Sequence, residues 1–334
     1  MNEKRKFKIT IVNSSTFGLF FPEHLERLKK LGTIRCLTVE GDCHGQKLAN
    51  LIGKTDIIIT SGTPQYDADF FKSVSGIKLI SRDGLGYDNI DVAAADAAGV
   101  YVTKVPRHVE REAVAEYTFA LLFDAVRLIE KSASSVKQNR WYDRGMFVGF
   151  ELKNKTLGII GCGNIGTRVA EIASHGFGMS VLVYDPVHYD YWAESNNIRY
   201  VNIDELVSHA DVITVHATLN KNSYHLIGKD FLSKVKDKVI IINTARGAII
   251  DNKAMLKALD SGKVALLGID ALSVEPPAMS DPFINNDKVI VTPHIGAYTK
   301  EALKGMGEKC VSDVEAIVKG EIPMGIVNAN MRED

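Results

Sequence analysis

Gly161-Cys162-Gly163-Asn164-Ile165-Gly166 directly follows the apolar run TLGII and opens a helical stretch expected over Thr167 to Ser174. Glycines at this spacing permit a tight turn, a close approach of backbone to a pyrophosphate, and close packing of helix on strand. The helix N-terminus adds N–H donors and the positive end of a dipole. Asp185 follows roughly 20 residues later, at the end of SVLVY, where a carboxylate bonds both ribose hydroxyls and repels a 2′-phosphate. The expected cofactor is therefore NAD rather than NADP.

Three further polar residues stand at the ends of apolar runs: Arg246 in NTARG, Glu275 in SVEPP and His294 in TPHIG. Reduction of a ketone puts negative charge on oxygen, so such a site needs a proton donor and a cation. A histidine with an ordinary pKa of about 6.5 exchanges that proton near neutrality. A neighbouring carboxylate orients it and favours its charged form, and arginine grips a carboxylate or carbonyl oxygen through its planar fork. Taken singly, each also fits a structural role: a turn cap, a solvated loop acid, a core histidine.

The elements that must position these residues are legible as alternation. KITIV, IRCLTV, DIIIT, IKLIS and VYVT are separated by helical stretches, which implies crossovers and a parallel sheet covered on both faces. A long helix is expected from about Arg111 to Lys137, apolar nearly all round and so deeply buried or at an interface. A second series runs through KTLGIIG, SVLVYD, DVITVHA, KVIIINTARG, VALLGID and KVIVTPH. In open α/β sheets ligands lie outside the carboxyl ends of the strands, so the chemistry should collect there. A last helix, Lys300 to Lys319, is expected to return to the first lobe.

With 334 residues, a soft prior of roughly 150 per domain suggests two domains. Composition is ordinary for a globular chain, with 46% hydrophobic and 24% charged residues, which argues against wholesale disorder. Forty basic and 41 acidic residues give no global reason to expect nucleic acid or an anionic membrane as partner. No apolar run reaches a membrane span, and the basic opening before KITIV reads as the lead-in to a first strand rather than a signal peptide. Cys36, Cys43, Cys162 and Cys310 form no C-x-x-C, so a reducing compartment, the cytoplasm, is expected. Cys162 reads as an apolar filler of the glycine turn. The histidines show no metal-ligand spacing and no metal is expected. Lys234, Lys236 and Lys238 read as a solvated turn.

G-C-G-N-I-G with its Asp, N-T-A-R-G, E-P-P and T-P-H-I-G, in this order along the whole chain, closely resemble the D-isomer-specific 2-hydroxyacid dehydrogenases. The resemblance implies two Rossmann- or flavodoxin-like α/β lobes with parallel sheets around a cleft. The cofactor lobe (106–299) would be inserted into a substrate-binding catalytic lobe (1–105 and 300–334). It implies Arg246, Glu275 and His294 as catalytic residues, and Gly161, Gly163, Asn164, Ile165, Gly166, Asp185, His216, Thr218, Ala245, Asp270 and Gly296 as cofactor contacts. Val114 would touch the nicotinamide side. Within SRDGLGYDNID it implies Arg82 and the N–H groups of Leu85 and Gly86 as substrate contacts, with Arg246. Thr218 replaces the family's usual proline in H-x-P-L, which bears on the shape of the adenine-side loop.

The expected activity is reversible hydride transfer between NAD(H) and a 2-hydroxy/2-keto acid. RWYDRGMFVGFELKNKTLGIIG, EPP, PHIGAYTKEA and VKGEIPMGIVNA look most like phosphoglycerate dehydrogenases. Arg82 matches an arginine near the substrate phosphate, and Arg144 approximates one reaching across a dimer. Thr60, however, stands where those enzymes commonly place another arginine, and a phosphate dianion usually wants more than one close cation. Glyoxylate/hydroxypyruvate or D-lactate-type reduction, and an NAD(H)-sensing binding protein of the same fold, are the alternatives; a formate dehydrogenase-like enzyme is disfavoured because it needs no Glu275. Ending at residue 334, the chain is expected to lack the regulatory C-terminal domain of longer relatives and to respond to no serine feedback. The resemblance makes it a homodimer or homotetramer.

Overall fold

The computed structural model describes residues 6–328. Residues 1–5 and those after Asn328, which the sequence reading gives to the first lobe, lie outside the described residues. The chain divides into two units, one of residues up to Glu110 with those from Tyr298 on, the other Arg111–Ala297. The divide falls inside helix Arg107–Arg127, which starts directly after Pro106.

In the first unit the β-branched runs form β1 (Phe7–Val12), β2 (Gly32–Leu37), β3 (Ile57–Thr60), β4 (Leu79–Arg82) and β5 (Tyr101–Thr103), all parallel. Their order β2-β1-β3-β4-β5 is the flavodoxin order. The two-residue period of a strand sends Val12, Ile58 and Ile80 into one core with Leu48, Tyr66 and Phe70, and Ile57, Ile59 and Leu79 into another with Leu28, Val311 and Val314. Asp67 and Asp91 cap the helices that follow them by accepting from the N–H of Phe70 and of Ala94. Helix Lys300–Lys319 packs on the second face. Its Asp313, buried, accepts from the hydroxyls of Ser81 at 2.8 Å and Thr103 at 2.6 Å and pairs with Lys309.

The second unit holds β6 (Thr156–Ile160), β7 (Ser180–Tyr184), β8 (Ile198–Tyr200), β9 (Val212–Val215), β10 (Val239–Asn243), β11 (Val264–Ile269) and β12 (Val289–Val291), again parallel. Among the described residues the order is β12-β11-β10-β9-β6-β7-β8, the dinucleotide-binding order with one strand added at the β12 edge. Strand β8 was not among the expected strands; three residues, IRY, are too few to show a period. The expected helix over 111–137 is two helices, Arg107–Arg127 and Ile129–Lys137, separated by Leu128 in the left-handed region at φ 54°. Asp124 accepts from the N–H of Glu130 at 2.8 Å and so restarts the helix after the break. The helix of the glycine motif begins at Asn164, inside the motif, and ends at Glu171 in a π turn over Ile172–Gly176.

Among the described residues no helix is long and apolar enough to cross a membrane. Asp313→Ala strands the nearly buried Lys309 ammonium and two hydroxyls, and should lower stability by about 3–5 kcal/mol. A urea denaturation midpoint within error of the parent protein would refute this account of the helix's anchorage.

Candidate active site

The strand order reverses between β6 and β9, so the crevice outside their carboxyl ends is where such a sheet takes a ligand. The three motif glycines there do three different things. Gly161, at φ 88°, would put a Cβ 2.5 Å from the Ala217 nitrogen, and one on Gly166 would lie 2.1 Å from the Gly161 carbonyl oxygen. Both must be glycine for strand, turn and helix to meet. A Cβ on Gly163 meets nothing within 4 Å, which leaves backbone exposed beside the N-terminus of helix Asn164–Glu171. Helix dipole, N–H groups of the first turn and this open backbone fit a pyrophosphate. Arg111 donates to the Asn164 carbonyl at 3.1 Å, and Ile165 packs against the core behind it.

Asp185 follows β7. One carboxylate oxygen accepts from the Cys162 N–H at 2.7 Å and the other from the Val187 N–H at 2.8 Å, which fixes the group at the edge of the glycine turn. Cys162 is fully buried, and burial pushes its thiol up to about 12, in keeping with a filler. His216 follows β9, with its N–H donated to the Ile160 carbonyl at 2.7 Å and Nε2 2.9 Å from the Thr214 hydroxyl. Burial pushes its pKa down to about 3, so the ring is neutral at ordinary pH. Thr218 is exposed, and its carbonyl accepts from the Ser223 hydroxyl at 2.7 Å. A serine thus ties the loop that lacks the usual proline.

Glu275 and His294 come together after β11 and β12. His294 Nδ1 lies 2.8 Å from one oxygen of Glu275 and 3.1 Å from the other, and Glu275 also accepts from the Leu272 N–H at 2.9 Å. Both side chains are partly exposed, the histidine at 38% and the glutamate at 29%. His294 sits at φ 55°, a conformation that side chains other than glycine seldom adopt and that this turn imposes. Asp270, at 2% exposure, holds the turn. Its carboxylate accepts from the Thr292 hydroxyl at 2.7 Å and from the N–H groups of Ile295 at 3.0 Å and Gly296 at 2.8 Å, and its carbonyl takes the His294 N–H at 2.9 Å. A Cβ on Gly296 would lie 3.0 Å from that carboxylate, with Tyr117 and Val114 close behind.

Arg246 follows β10. Asn243, wholly buried, receives the Ala245 N–H at 3.0 Å and donates to the Arg246 carbonyl at 2.9 Å, while Arg246 Nη1 bonds the Ala245 carbonyl at 2.8 Å. A Cβ on Gly247 would fall 2.3 Å from the backbone of Leu272 and Ser273. The arginine's segment therefore lies directly on the one that leads to Glu275. Asn243, Gly247, Tyr117 and Thr292 were not singled out in the sequence. The available signal was a threonine two places before both Arg246 and His294.

Arg82, Leu85 and Gly86 belong to the first unit. Arg82, at 6% exposure, donates to the carbonyls of Asp83 and Thr60, and its guanidinium covers Gly84, where a Cβ would lie 2.5 Å from Nη1. The Leu85 N–H is donated to Glu110 at 2.8 Å. Thr60 accepts from the Tyr66 hydroxyl at 2.9 Å.

Residues 119–296 match the family model "D-isomer specific 2-hydroxyacid dehydrogenase, NAD binding domain". The chain is 36% identical over 308 residues to the D-3-phosphoglycerate dehydrogenase of Methanocaldococcus jannaschii, covering 92% of this chain and 58% of that protein. It thus spans little more than half the length of that relative. Over 290 residues it is 36% identical to the glyoxylate reductase of Thermococcus litoralis, covering 85% of this chain and 87% of that one. Among solved structures it resembles the D-lactate dehydrogenase of Aquifex aeolicus, complexed with NAD and lactic acid. The TM-score is 0.84 at 30% identity, covering 96% of this chain and 99% of that one.

The neutral His216 has a consequence for stability. Unfolded, its imidazole takes a proton below about pH 6.5; folded, it takes none until about pH 3, so stability is lost as pH falls between the two. His216→Gln should relieve up to about 2 kcal/mol of that loss at pH 5. Urea unfolding at pH 7 and pH 5 checks it, and an identical acid loss in both proteins is the contrary result.

Proposed function

The chain belongs to the D-isomer-specific 2-hydroxyacid dehydrogenases, and from that premise we propose that it reduces a 2-keto acid with NADH and oxidises the D-2-hydroxy acid with NAD. The observation that carries this reading is the imidazole of His294 held 2.8 Å from the Glu275 carboxylate in the unit whose glycine turn fits a dinucleotide. Gly161, Gly163, Asn164, Ile165, Gly166 and Asp185 are the residues proposed to hold pyrophosphate and ribose. His216, Thr218, Ala245, Asp270 and Gly296 are assigned to the rest of the dinucleotide. When bound, the reduced dinucleotide supplies the two electrons and one hydrogen that turn a keto carbon into an alcohol carbon.

The second hydrogen comes from the chain itself. His294 gives a proton to the keto oxygen during reduction and takes it back during oxidation. With its Nδ1 facing Glu275, the ring is left with Nε2 for this exchange, and the carboxylate balances the charge the imidazole carries before it gives the proton up. Arg246 provides the cation for the developing oxyanion and the substrate carboxylate. Arg82, Leu85 and Gly86 are proposed as substrate contacts of the first unit. Asp185 already turns both oxygens on backbone N–H groups at the ribose position, which supports NAD over a 2′-phosphorylated dinucleotide.

We also assign a second copy of the chain as partner. Ile129, Val136, Trp141, Tyr142, Met146 and Val148 are exposed on one short stretch of the second unit, more apolar surface than solvent favours in one place. Four cysteines free of disulfides suit a reducing compartment, and we place the protein in the cytoplasm.

His294→Ala should lower kcat by at least about a hundredfold with NADH affinity kept. NADH oxidation is to be followed with phosphohydroxypyruvate, hydroxypyruvate, glyoxylate, pyruvate and branched keto acids side by side. No keto-acid-dependent oxidation by the parent protein would overturn the dehydrogenase reading. For the assembly, Trp141→Ser with Tyr142→Ser should give a folded monomer by light scattering, where the parent protein has at least twice that mass.

A further inference from the structure

The glycine-motif helix of the second unit starts without the device that starts others in the same unit. Asn202 and Asp251 cap the helices that follow them, each accepting through its side chain from N–H groups of the first turn. Gly163, which stands in that position before helix Asn164–Glu171, has no side chain to do so. A helix start that offers its N–H groups to a pyrophosphate cannot also spend them on a cap, so the turn has to be held from its carbonyls or its side chains. Arg111 takes hold of both.

Arg111 belongs to helix Arg107–Arg127. Its Nε donates to the Asn164 carbonyl at 3.1 Å, and its Nη2 to the two carboxylate oxygens of Glu171 at 3.4 and 3.3 Å. One planar guanidinium thus grips the first and the last residue of an eight-residue helix. The Thr167 hydroxyl also bonds the Asn164 carbonyl, at 3.1 Å, but Thr167 is part of the same helix and moves with it. Around this grip the pairs are reciprocal. Arg168 of the short helix donates to Glu112 of the long one at 2.7 Å, and Trp192 Nε1 donates to Glu171 at 3.0 Å and steadies it. Arg111 is 29% and Glu171 22% exposed, and ion pairs so open to water add little to stability. What they fix is direction.

We infer that Arg111 is a positioning residue for the dinucleotide, holding the first turn of helix Asn164–Glu171 by its carbonyl so that the N–H groups of that turn stay aimed at the pyrophosphate. This rests on the dehydrogenase reading, and within it on the bound NAD(H) alone. A donor on the carbonyl side leaves the N–H side to the ligand, which a capping side chain would not. Charge balances as well, since Arg111 and Arg168 face Glu112 and Glu171. The group therefore adds little net field of its own and acts by placement.

Arg111→Met keeps the apolar stem and removes the guanidinium. It should raise Kd for NADH about tenfold, read from nucleotide fluorescence with no keto acid present, while kcat at saturating NADH and KM for the keto acid stay within about twofold of the parent protein. Arg111→Lys keeps a charge for Glu171 but not the fork that also reaches Asn164, so its Kd should stay about fivefold above the parent value. Arg168→Met cuts the reciprocal pair to Glu112 and leaves Arg111 its bonds, and its Kd should lie within about twofold of the parent. An unchanged Kd in Arg111→Met overturns the inference, as does full recovery by Arg111→Lys or an equal loss in Arg168→Met. Should Arg111→Met not fold, Arg111→Lys decides alone, a parent-like Kd being the contrary result. A parent protein that binds NADH but reduces none of the keto acids loses the dehydrogenase reading and keeps this one, because the ratio of Kd values needs no turnover.

Discussion

A buried carboxylate at the end of one strand holds the turn on which the proposed chemistry stands. Asp270 accepts from the Thr292 hydroxyl and the N–H groups of Ile295 and Gly296. Such a group in a nearly dry place is stable only when its oxygens are satisfied, and here the bonds that satisfy it also force the His294 backbone into the left-handed region. Satisfaction of one residue and strain of another are the same event. The histidine ring then meets Glu275, whose own direction is set by the Leu272 N–H.

Close backbone approach does the corresponding work for the other segments. Gly161, Gly166 and Gly247 each occupy a place where a Cβ would fall within 2.5 Å of backbone, so chain can lie on chain without an intervening side chain. The parallel sheet brings these loops to one end, because every strand in it points the same way. Loops far apart in sequence thereby become neighbours at the same edge.

The motif residues were legible because they are chemically distinctive types at the ends of β-branched runs, and the runs themselves show their period. Much of the first sheet, and helix Lys300–Lys319 to the residue, could be read in that way. What escaped was tertiary. Leu128 breaks a helix although leucine is a good helix former, because Asp124 offers the next segment a cap. Strand β8 is too short to display a period. Thr118 and Thr244 are 126 residues apart, and a threonine at helical spacing reads as packing until its partner is in view.

The cysteines bear on how the molecule can be handled. Among the described residues, Cys43, Cys162 and Cys310 are buried, with their thiols held protonated by burial, whereas Cys36 is exposed on β2 at the edge of the first sheet. Thiolate is the form that reacts with electrophiles, and it needs access as well as charge. A maleimide dye added near neutral pH will therefore mark Cys36, giving the first unit a fluorescent tag while the glycine turn stays chemically untouched.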